Sequence, residues 1–119
     1  MERYWRDKTV IPYLKSNGFE ILKPTRIKAK EFNQEADILA VKFGALYIME
    51  LKFMLGNHAL QTGIGQLLIH QFLNRNMDNT YYHSTKYWLV LPQDLKQEKH
   101  FSPAFLNYLL TLHIETQFI

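Results

Sequence analysis

Apolar positions along the chain follow two different periods. Around Glu35 to Phe53, EADILAVKFGALYIMELKF, they form two short β-branched and aliphatic runs, Ala36–Lys42 and Leu46–Phe53, with Gly44 between them. This predicts two strands joined by a tight turn, because glycine supplies the free φ that a hairpin needs. Residues 2 to about 17 instead carry Tyr4, Val10, Ile11 and Leu14 on a rough helical face, closed by Asn17-Gly18, a common left-handed stop. Pro12 lacks a backbone donor and predicts a kink or a second short helix there. Phe19 to Lys30 reads as a strand interrupted by Pro24, and Glu31 to Glu35 as a polar loop. Leu60, Ile64, Leu67, Leu68 and Phe72 predict a helix from Ala59 or Gln61 to Arg75. The continuous run Tyr87–Leu91 predicts a buried central strand. Ser102 before Pro103 predicts a helix start, with Phe105, Leu106, Leu109 and Leu110 inside, and His113–Ile119 a last strand. The order is helix, three strands, helix, strand, helix, strand: an α/β fold with a central mixed sheet flanked by helices.

The hairpin carries charge where an apolar sheet has no use for it. Side chains alternate faces, so Glu50 and Lys52 point the same way as Leu46 and Ile48, while Tyr47, Met49, Leu51 and Phe53 take the other face. The strands run antiparallel about Gly44, which sets Asp37 beside Glu50 and Lys52, at an end expected to open to solvent. Two carboxylates and a lysine there predict a metal site. Hard oxygen ligands suit Mg²⁺, which keeps several waters and takes one or two carboxylates. The competing reading is a salt-bridge cluster at a sheet edge, a common and weak arrangement.

Asp37, a twelve-residue spacer and then Glu50-Leu51-Lys52 resembles the catalytic signature of the PD-(D/E)XK nuclease superfamily, with Ala36 where the family commonly has proline. The predicted element order is similar to that family's restriction-endonuclease-like core, αβββαβ, and the resemblance covers most of the chain. It implies that Asp37, Glu50 and the Leu51 backbone carbonyl hold Mg²⁺, with Mn²⁺ as substitute, and that Lys52 positions the attacking water. The spacing of Asp7, Val10, Leu14 and Gly18-Phe19 is similar to the first helix of archaeal Holliday-junction resolvases, whose acidic residue faces the metal; Asp7 or Glu2 is the candidate here. Gln66-Leu67-Leu68-Ile69-His70 resembles the Gln-x-x-x-Tyr of RecB-like members, making Gln66 a catalytic candidate and leaving the role of His70 open. Asp94-Leu95-Lys96 also reads acid-x-Lys, but it follows Pro92 in a polar stretch and reads as solvated loop.

At 119 residues the chain is expected to be one domain. Its 47% hydrophobic and 21% charged residues fit a globular protein rather than a disordered one. A net charge of +3 is compatible with a polyanionic partner. Arg26, Lys28 and Lys30 alternate with apolar residues and form a candidate nucleic-acid stripe, though charged edge strands also serve only to resist aggregation. Cysteine is absent, which excludes disulfides and thiolate metal sites. The charged start MERYWRDK and the lack of a membrane-length apolar run predict a cytoplasmic protein.

The expectation is therefore a Mg²⁺-dependent nuclease acting on DNA phosphodiesters, structure-selective or duplex-directed, and working as a homodimer. The alternatives are an RNA-cleaving toxin-type nuclease and a non-catalytic nucleic-acid-binding or interaction module of the same fold.

Overall fold

The computed structural model describes residues 1–23, 26–29, 32–54, 56–75 and 82–119; for residues 26–29, 32–34, 57 and 75 it describes the backbone alone. A mixed five-stranded sheet has the order β1-β4-β5-β6-β7, from Glu20–Ile21, Ile38–Lys42, Ala45–Leu51, Ser84–Leu91 and Ile114–Phe118. β1, β4 and β5 pair antiparallel, and β5, β6 and β7 pair parallel. A separate antiparallel pair, β2 (Arg26–Ala29) and β3 (Phe32–Glu35), lies outside this sheet. The expected continuous strand over 19–30 is thus two strands in two sheets. The ladder with β4 ends after Leu22 donates to the Leu39 carbonyl, 2.8 Å. Pro24, two residues on, has no N–H with which to extend it. The stretch expected as polar loop contributes β3 instead.

Helices cover both faces of the sheet. On one side Leu46, Ile48, Leu89 and Ile114 pack with Leu60, Leu67 and Leu73 of α3 (Asn57–Arg75) and Leu109 of α4 (Pro103–Thr111). On the other, Ile38, Met49, Leu51 and Val90 pack with Trp5, Val10 and Leu14 of the N-terminal helix. The alternation predicted for β5 is the one observed. Ser102 caps α4 through its hydroxyl, which accepts from Phe105 N–H at 3.2 Å.

Of the two outcomes expected at Pro12, a second short helix is the one observed, with the proline in its first turn. The N-terminal segment runs as α1 (Glu2–Trp5), a π turn (Arg6–Val10) and α2 (Ile11–Ser16). The wider turn lies just where a proline ring would otherwise strike the carbonyl of the turn before it, so it relieves the clash without breaking the helix. Gly18, at φ +86°, ends α2: its N–H reaches the Lys15 carbonyl and that of Phe19 the Leu14 carbonyl.

Register places the hairpin turn at two residues, Phe43 and Gly44, between the paired Lys42 and Ala45. Both have positive φ, 49° and 78°, the geometry whose twist matches the flanking strands. Gly44 is doubly required, because a Cβ there would lie 2.6 Å from the His83 ring.

Candidate active site

The last β4–β5 pair in register is Ile38 with Met49, so Asp37 and Glu50 stand one step beyond it, on adjoining strand ends. Asp37 closes that step with its side chain: Oδ2 accepts from the Leu51 N–H at 2.7 Å. Lys52 N–H in turn donates to the Val90 carbonyl, 3.0 Å, which holds the end of β5 against β6. The geometry expected of Asp37, Glu50 and Lys52 as neighbours is present.

Its environment differs from the expectation in one respect. Glu50 does not open to solvent; it is 1% exposed. It shares the sheet face of Leu46 and Ile48, and α3 lies over that face. There His70, itself fully buried, places Nε2 2.7 Å from Glu50 Oε1. Burial pushes the Glu50 carboxyl up to about 10; a hydrogen bond with Asp37 and the Asp37 charge add to the rise, the nearby Lys52 charge opposes it, and Glu2 adds a little. Burial likewise pushes His70 down to about 4, against the pull of Asp37. Each group is driven toward its neutral form, so near neutral pH the pair shares one proton across the Oε1···Nε2 contact. His70 Nδ1 and Gln66 Oε1 are both buried without a hydrogen-bond partner among the described residues.

Lys52 forms no ion pair among the described residues, although its charge is felt at Glu50. Its stem lies along α3 at Gly63, where a Cβ would sit 3.3 Å from Lys52 Cγ and Cε and 2.9 Å from Leu89 Cδ1. Gly63 thus lets strand and helix approach closely enough for the lysine to pass. Gln66 lies one helical turn before His70 and is half-buried.

Both N-terminal acids reach this end of the sheet. Glu2 Oε2 accepts from Phe53 N–H at 3.3 Å, and its charge is felt at Glu50. Asp7 turns onto Arg6, 2.9 Å from its Nε, and that bond holds the Asp7 carboxyl below its ordinary value. A cavity of about 270 Å³ is bounded by Glu2, Arg3, Arg6, Asp37 and Leu51. Arg26 and Lys28 lie on alternate positions of β2, and Lys30 lies outside the described residues. Asp94 and Lys96 are exposed on a 3₁₀ turn, Gln93–Gln97, as the solvated reading expects.

Sequence reasoning left His70 unassigned and missed Arg3 and Arg6. A signal for His70 was present: it stands three residues after Leu67 and three before Leu73, inside the buried stripe of α3. A histidine in such a stripe needs a polar partner.

No family model matches the chain, and no curated protein matches it. Two solved structures share the fold. One is an FdxN element excision controlling factor protein from Anabaena variabilis, with a TM-score of 0.67 and 18% identity over 87% of this chain and 80% of that one. The other is an XisH family protein from Nostoc punctiforme, with a TM-score of 0.66 and 17% identity over the same shares. At that identity the likeness concerns the fold: an α/β chain with a five-stranded mixed sheet between helices.

Proposed function

We propose that this chain is a divalent-metal-dependent nuclease that hydrolyses DNA phosphodiester bonds. The observation that carries the reading is Asp37 and Glu50, two carboxyl groups side by side on adjoining strand ends, with the Lys52 charge next to them and in no ion pair among the described residues. Burying a carboxyl against a like charge costs stability, and a site that takes up a cation gives that cost a use. One oxygen of Asp37 is held by Leu51 N–H, which leaves the other as a ligand beside the Leu51 carbonyl. Among the described residues no three His, Asp or Glu groups form a ready-made metal cage. Two carboxylates and a carbonyl suit Mg²⁺, which keeps waters in its remaining positions, and Mn²⁺ as its substitute.

When bound, such an ion would polarise the scissile phosphate and acidify the attacking water. The chain's own groups supply the rest. Lys52 offers a fixed positive charge to the water and to the phosphate as negative charge builds on it. Gln66 orients the water or a phosphate oxygen. His70 holds Glu50 in one rotamer through its 2.7 Å contact with Oε1, leaving Oε2 for a ligand. A DNA partner is consistent with the description of one similar structure as an excision controlling factor. A two-fold dimer would set two such sites on opposite strands.

The test is a cleavage time course on four-way junction, linear duplex, circular single strand and tRNA, with Mg²⁺ or Mn²⁺, with EDTA, and with Glu50→Gln. The expected result is metal-dependent DNA cutting that the variant loses. Cutting of tRNA alone would transfer the reading to RNA.

A second reading, a non-catalytic module, is favoured by one observation: His70 already satisfies Glu50. It expects no Mn²⁺-induced rise in melting temperature and no cutting of any substrate.

A further inference from the structure

We propose that Arg3 and Arg6 form a subsite for a phosphodiester group of the nucleic-acid backbone, facing Asp37 across the candidate active site. The nuclease reading supplies the identity of the polyanion; the subsite itself follows from the cavity. Two adjoining hollows, of about 270 and 390 Å³, meet at Arg6 and Asp37, which line both. The smaller also takes in Arg3 and Leu51. Asp37 and Leu51, which would hold a cation, therefore line the same hollow as two guanidinium groups that would hold an anion beside it.

The arginines are available, and the segment that bears them is held in place. Arg6 commits Nε to Asp7 at 2.9 Å, which leaves its two terminal nitrogens for a ligand. The Arg3 side chain makes no hydrogen bond or ion pair among the described residues. Between them Trp5 is 6% exposed, donates to the Ile119 carbonyl at 3.3 Å and packs against Phe53 in a tilted pair, ring centroids 5.6 Å apart. Glu2 is tied to Phe53 N–H. The segment bearing the arginines is thus pinned to the site end of the sheet, and a planar guanidinium fork matches phosphate oxygens in pairs.

Electrostatics gives the subsite a second property. Asp37 and Glu2 share the hollow with the arginines and repel a phosphate until Asp37 is neutralised. Removing the arginine charges and removing the Asp37 charge should then shift DNA affinity in opposite directions without any metal.

The experiment is fluorescence anisotropy of the full chain with a labelled linear duplex in EDTA, as a salt series. The double variant Arg3→Gln, Arg6→Gln should raise Kd by roughly tenfold and flatten the log–log salt slope by about one unit per arginine. Arg6→Lys should fall between it and wild type. Asp37→Asn should lower Kd, and Lys86→Gln, an exposed cation on the early part of β6, should leave it unchanged. Wild-type affinity in the double variant, or no gain in Asp37→Asn, would overturn the subsite. So would equal arginine-dependent binding of a polyglutamate peptide, which would assign the arginines to an acidic protein. The two readings fail separately. Unchanged DNA cutting and binding by the arginine variants removes the subsite alone, whereas arginine-dependent binding with no cutting under any metal removes the nuclease alone.

Discussion

His70 Nε2 lies 2.7 Å from Glu50 Oε1, and neither side chain is more than 1% exposed. An acid at a strand end and an imidazole from a helix twenty residues later are sealed together, and the Asp37 charge acts on both. The folded state keeps both groups neutral at the pH where free glutamate would be charged.

Stability should therefore depend on pH in a specific direction. Glu50 is raised from 4.5 to about 10, so its contribution is complete below pH 4.5 and is lost as pH climbs toward 10. His70 is lowered from 6.5 to about 4, so its contribution is complete above 6.5 and is lost as pH falls toward 4. Between 4.5 and 6.5 the two oppose each other; above 6.5 only the Glu50 decline remains. Glu50→Gln removes that decline and should exceed wild type in stability at pH 7, the gap widening as pH rises. Urea melts from pH 6 to 9 check this; parallel curves would refute it. For the same reason Mn²⁺ uptake should release a proton and tighten with rising pH, readable by calorimetry in two buffers of different ionisation enthalpy.

The pair should also behave as a unit. Glu50→Leu or His70→Leu alone leaves a buried polar partner and should cost about 1–3 kcal/mol beyond any loss of packing. Changing both should cost less than the sum, with a coupling of roughly 1–3 kcal/mol in a double-mutant cycle. Additive losses would mean that the contact contributes nothing.

Two glycines of α3 should respond in opposite ways. A Cβ on Gly63 meets Leu89 at 2.9 Å and Lys52 at 3.3 Å, whereas a Cβ on Gly65 meets nothing within 4 Å. Gly65→Ala should stabilise by about 0.5–1 kcal/mol through helix propensity alone. Gly63→Ala should forfeit that gain to crowding of about 1–3 kcal/mol and displace Lys52, lowering cleavage at least tenfold in a protein that still folds. Thermal melts paired with the cleavage assay separate the two.

Phe43 is 92% exposed at φ 49°, a backbone region that suits asparagine or glycine and not a bulky ring. Lys42 Nζ sits 5.5 Å from its ring, a weak exposed contact. Phe43→Asn should raise stability by about 1 kcal/mol. A loss of stability on thermal melting would show that the ring contributes more than the strain costs.

Residues near one another in the chain announced themselves. The Gly44 hairpin, the alternation of β5, the Ser102 cap and the proximity of Asp37 to Glu50 all follow from local periodicity and turn chemistry. The failures were equally local in origin. Pro24 interrupted a run whose halves then joined different sheets, and the second short helix expected at Pro12 is joined to the first through a π turn that no local pattern announced. Neither outcome can be chosen until the competing partners of the backbone are known.

The sequence by itself determined the α/β order and which side chains share a strand face, because strand and helix periods are set by the backbone alone. Only the tertiary structure decided what those side chains experience. It laid α3 over Glu50, turning an expected solvent-facing acid into a buried one with His70 as partner. It also pinned the first helix through Trp5 to Ile119, 114 residues away, which sets Arg3 and Arg6 against Asp37. Burial and charge proximity are properties of packed neighbours, and no period along a chain encodes which distant element will supply them.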